Sequence, residues 1–126
     1  MTRCTTNFNP KSDKMMLCSC CGEGNPSVAL LILLEIIRAH FGKPVKINSM
    51  CRCTKHNRAV GSKTDMSRHV CDNDAFEPDA ADIVVKGVDP LEVYKFVVQL
   101  PYANLLGVGK YNSFTHIDTR GYKARW

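Results

Sequence analysis

Apolar residues run unbroken from Val28 to Leu34 and resume at Ile36, Ile37 and Phe41, with Glu35, Arg38 and His40 on the polar positions between them. That spacing predicts a buried helix. Asn25 and Pro26 precede it as a cap and first-turn pair and Gly42 with Pro44 closes it, so the helix is expected over about residues 27–41. Val45, Ile47 and Ser49 then alternate with Lys46 and Asn48, the period of a half-buried strand. A short helical turn is expected from Lys55 to Val60, stopped by Gly61. Residues 62–79 are polar and turn-rich and read as a long surface loop, a kind of segment that usually carries function inside a compact domain. Ala80 to Val85 is a short apolar strand interrupted by one acid, Asp82. Asp89 and Pro90 repeat the cap signature before a second helix, about Leu91 to Leu100, closed by Pro101. Two more strands, near Leu106 to Tyr111 and Phe114 to Thr119, are joined by a turn at Asn112 and Ser113. Residues 1–14 are polar and read as an irregular arm. The pattern predicts an α+β fold in a single domain, residues 1–126, with a mainly antiparallel sheet packed against helices.

Length and composition narrow the picture. A chain of 126 residues has room for one core and not for two. The longest apolar run, seven residues, is far below the roughly 20 that span a bilayer, so no transmembrane segment is expected. Met1 to Pro10 lacks the apolar stretch of an export signal, which predicts synthesis in the cytoplasm and another route to any target outside it. Seventeen Lys and Arg against twelve Asp and Glu give a net charge of +5. That excess favours an anionic surface, but it is not clustered into the stripe that nucleic-acid binding needs, so no nucleic acid is expected. The seven cysteines, at 4, 18, 20, 21, 51, 53 and 71, are odd in number, so at least one stays unpaired in a lone chain. Cys18 and Cys21 have the two-residue spacing of a zinc knuckle, but Cys51 and Cys53, one residue apart, are not the usual second half of a ribbon, so buried or reduced thiols are expected ahead of a late disulfide or a Cys-zinc site.

Chemistry concentrates late in the chain. A carboxylate such as Asp82 in an apolar strand needs a partner, either an ion pair or a metal. Phe114, His116 and Asp118 share one face of their strand, where a histidine is ordinarily a satisfied core residue. His69, in the polar loop, is ordinarily solvated. Taken together, two histidines and one aspartate match a three-ligand zinc site with its fourth position left to water, the form of a catalytic centre.

Five segments carry a resemblance in the same order. They are Ile47-Asn48-Ser49-Met50-Cys51-Arg52-Cys53 with His56-Asn57, Ser67-Arg68-His69, Ala80-Ala81-Asp82-Ile83, Gly107-Val108-Gly109-Lys110-Tyr111, and Phe114-Thr115-His116-Ile117-Asp118-Thr119-Arg120. This succession resembles the motifs of the M15 family of zinc D-Ala-D-Ala carboxypeptidases and phage endolysin peptidases, and the closing Arg125-Trp126 is similar too. The resemblance implies the α+β fold shared by hedgehog and D-Ala-D-Ala peptidases. It also implies one catalytic Zn2+ held by His69, Asp82 and His116. Arg52 would grip the substrate carboxylate or the developing oxyanion, with Ser67 beside it on the substrate side.

Three departures matter. His69 and Asp82 stand thirteen residues apart where the family has seven with a glycine between, which reads as a six-residue insertion and brings Asp79 near as a competing ligand. Ser49-Met50-Cys51 replaces Ser-Gly-Tyr and alters the wall beside Arg52. Ser113 stands where several relatives carry an acid three residues before the last histidine, so Asp118 becomes the candidate general base, with orientation of a ligand as its other reading. The acidic residues Asp72, Asp74, Glu77 and Asp79 lack the spacing and glycine of a calcium loop, and His40 reads as structural.

The expectation is a monomeric zinc peptidase that cleaves peptidoglycan peptide stems, of the phage endolysin type, acting at the cell wall after release. The alternatives are a carboxypeptidase that trims terminal D-Ala at the same site, and a non-catalytic module that binds zinc through cysteines.

Overall fold

The computed structural model describes residues 3–18, 25–50 and 79–126. The expected turn at 55–60, most of the expected loop at 62–79, and Arg52, Ser67 and His69 lie outside the described residues, as do five of the cysteines. Of the other two, Cys4 is exposed and Cys18 buried.

Among the described residues five strands, β1 (Val45–Ser49), β2 (Ala80–Val85), β3 (Gly107–Lys110), β4 (Thr115–Asp118) and β5 (Ala124–Arg125), form one sheet in the order β1-β2-β4-β3-β5. All neighbours are antiparallel except β3 and β5, which run parallel. Among the described residues two helices, α1 (Val28–Phe41) and α2 (Pro90–Val98), accompany the sheet in the expected α+β architecture. Among the described residues no helix is long and apolar enough to cross a membrane.

Side chains alternate across a pleated sheet, and residues paired across antiparallel strands share a face. The pairs Ile47–Ile83 and Val108–Ile117 therefore lie on one face. They join the core with Leu30, Leu33, Leu34 and Ile37 of α1 and Val93 and Val97 of α2. The Thr115 hydroxyl donates to the Pro90 carbonyl at 2.9 Å and fastens β4 to the start of α2. The pairs Asp82–His116, Gly109–His116 and Gly107–Asp118 occupy the opposite face. The helices thus cover one side of the sheet and the polar cluster sits on the other.

Helix α1 starts one residue later than the Asn25-Pro26 signature predicts, because Ser27 is the cap: its hydroxyl accepts from the Leu30 N–H at 3.2 Å. Asn25 is occupied elsewhere, its side-chain oxygen accepting from the Arg3 N–H at 2.7 Å. Gly42, at φ 63°, closes the helix in the left-handed conformation that glycine takes without penalty. Helix α2 ends at Val98, with Gln99 as its cap, two residues short of the expected Leu100. The N-terminal segment is irregular as expected, yet it contributes to the core. Phe8 and Met16 are buried there, Met16 in a short 3-10 turn (Lys14–Met16) capped by Asp13. Arg3 donates to the carbonyls of Asn25 and Pro26, and Asn7 pairs with Glu35, stitching this segment onto α1.

Candidate active site

The centre is built where β2 and β4 lie side by side. Register puts Asp82 directly opposite His116, and their side chains meet with Asp82 Oδ1 and His116 Nδ1 2.9 Å apart. His116 Nε2 lies 2.8 Å from Asp118 Oδ2. The imidazole is therefore held at both nitrogens. Asp118 is fully buried. Its Oδ1 accepts from the N–H groups of Gly107 and Arg120 and from Arg120 Nε at 2.7 Å, while Oδ2 also accepts from Arg120 Nη2 at 2.7 Å. A two-pronged guanidinium contact of this kind fixes a carboxylate in orientation as well as position.

Charge follows from those contacts. Burial opposes ionisation of Asp118, but the hydrogen bonds from Arg120 and His116 and the charges behind them win, and the carboxyl is held far below the usual range. Burial likewise disfavours a charged His116, but the carboxylates of Asp118 and Asp82 outweigh it and raise its affinity for a proton. Arg120 is pushed up by the same pairing with Asp118.

Strand β3 makes room for this cluster by what it lacks. Its two positions on the site face are glycines, and a Cβ on Gly107 would stand 2.5 Å from both Asp118 oxygens and 2.6 Å from Arg120 Nε. A Cβ on Gly109 would stand 2.6 Å from the Trp126 indole. Trp126 follows β5, and its backbone N–H donates to the Val108 carbonyl while its carbonyl accepts from Lys110. Its ring lies 4.8 Å from the His116 ring and 5.2 Å from the Arg120 guanidinium. Arg125 donates to the carbonyls of Ala103 and Leu106 and so pins this last strand in place.

Among the described residues no set of three or more His, Cys, Asp or Glu side chains is grouped to hold a metal ion. Asp82 and His116 still have the chemistry and spacing of two donors to one cation. Two ligands at ordinary metal distances in a tetrahedral site stand about 3.3 Å apart, close to the separation found here. The Asp118–His116 contact also has the carboxylate–histidine form that orients a metal-binding imidazole.

The model of the family Peptidase M15 matches residues 8–118. The chain belongs to the Peptidase M15 family. No curated protein and no solved structure matches it. Membership makes the chain a hydrolase of the metallopeptidase class, acting on a peptide-containing substrate. The span shared with Peptidase M15 takes in Asp82, His116 and Asp118, along with Arg52, Ser67 and His69. It stops short of Arg120 and Trp126, two contributors to the centre whose roles no sequence pattern around them marks. One signal was present: glycines at alternate positions, 107 and 109, mark a strand face cleared for something large.

Proposed function

We propose that the chain is a zinc-dependent peptidase of peptidoglycan peptide stems, of the endolysin type, with Asp82 and His116 holding the ion together with His69. The observation that carries this reading is the Asp82–His116 pair, 2.9 Å apart across β2 and β4, with the far nitrogen of the imidazole held by Asp118. When bound, zinc polarises the scissile carbonyl and brings the pKa of its water towards ~7. The chain's own residues supply orientation. Asp118 fixes the ring of His116 so that Nδ1 faces Asp82, and Arg120 keeps Asp118 ionised and immobile. With all these contacts on its carboxylate, Asp118 fits the orienting role better than that of the proton acceptor. Arg52, with Ser67, is assigned to the substrate carboxylate or oxyanion on the chemistry of its planar donors. The positive balance of the chain favours approach to an anionic envelope, which is reached after release from the cytoplasm.

Product analysis on purified muropeptides tests the cleavage. Cross-linked dimers converted to shorter stems, with new amino termini inside the peptide, are the expected products. Release of free D-Ala alone would assign the chain to carboxypeptidase trimming, and intact muropeptides at saturating zinc would overturn the reading.

A further inference from the structure

Trp126 is a large aromatic residue held rigidly and left open. Gly109 lets its indole lie against β3, its N–H donates to the Tyr111 hydroxyl at 2.8 Å, and its backbone is hydrogen-bonded to β3 on both sides. Yet it is 43% exposed. Tyr111, equally exposed, stacks on Phe114 with ring centroids 4.3 Å apart and carries the aromatic surface onward along the β3–β4 hairpin. With its polar N–H already used and its ring beside His116, the indole offers a ligand a fixed apolar face next to the reactive centre.

We propose that Trp126, extended by Tyr111, is a subsite for a pyranose ring of the glycan strand that bears the peptide stem. This rests on the peptidoglycan reading above and adds the sugar to the substrate. A pyranose presents a flat face of C–H groups and a polar edge, the complement of an open indole. The stem itself offers small and charged side chains. A cationic one is disfavoured at this ring, because Arg120 already lies 5.2 Å from it. A neutral sugar meets no such repulsion.

Trp126 is the chain's one tryptophan, so its fluorescence reports the subsite directly. A titration of the zinc-loaded protein with a soluble N-acetylglucosamine tetramer is expected to give a saturable emission change. No change with the tetramer would overturn the proposal. Kinetics supply the second arm: Trp126→Phe or Tyr111→Phe is expected to lower the preference in kcat/KM for a disaccharide-bearing stem over the same free stem by roughly three- to tenfold. An unaltered preference in two folded variants would also overturn it. Saturable sugar binding by a protein that hydrolyses neither substrate would support the subsite and remove the peptidase reading instead.

Discussion

Asp118 receives hydrogen bonds from Gly107, His116 and Arg120 and is fully buried, so under the proposed function it acts through the imidazole it holds. Asp118→Asn removes the charge that faces Arg120 while keeping the shape. Zinc affinity is expected to fall about 10- to 100-fold, with turnover near that of the parent once zinc saturates the site. A loss of about 10²- to 10⁴-fold at saturating zinc would make Asp118 the proton acceptor instead. Zinc titration and turnover on the same preparation separate the two outcomes. Gly107→Ala attacks the same contact from behind, because the new Cβ lies 2.5 Å from both oxygens of a carboxylate that Arg120 prevents from swinging away. Overpacking of this kind costs about 1–3 kcal/mol. A urea unfolding curve should show that loss, and an unchanged midpoint would mean that the cluster is looser than these distances indicate.

Local signals and periodicity made most of the elements legible. The 3.6-residue pattern of α1 and the alternation in β1 each answer to one buried face, and the apolar run of β2 to a strand buried on both. What was not legible depended on distant partners. Asn25 was read as the cap of α1, but its side chain is taken by Arg3, more than twenty residues earlier, and Ser27 serves in its place. Strand β5 is two residues long, too short to show a period, and exists because β3 offers it an edge. Phe8 and Met16 sit in a stretch too polar overall to announce that two of its residues are core. Ser27→Ala tests the corrected cap: about 1 kcal/mol of stability should be lost, measured by denaturant unfolding, while zinc content stays unchanged. Asn25→Ala would have to produce that cap loss at Leu30 for the original assignment to stand.

Among the described residues, the helices bury one face of the sheet and Asp82, His116 and Asp118 lie on the other, so the same alternation that builds the core gathers the chemistry on the opposite face. The candidate site was legible to the extent that it lies in strands: the period-two rule put His116 and Asp118 on one face before any coordinates, whereas their meeting with Asp82 depended on a register that no local pattern encodes. Arg120 and Trp126 escaped assignment because their positions follow from the two glycines of β3 and from β5, features that acquire meaning only in three dimensions. Under the proposed function, peptide hydrolysis depends on one metal ion held in part by Asp82 and His116. The most direct test of that dependence is the rate at which purified peptidoglycan stems are cut by the protein as isolated, after exhaustive chelation, and after zinc is returned. Cutting is expected to stop on chelation and to recover with one zinc per chain. Undiminished cutting by fully demetallated protein would contradict that dependence.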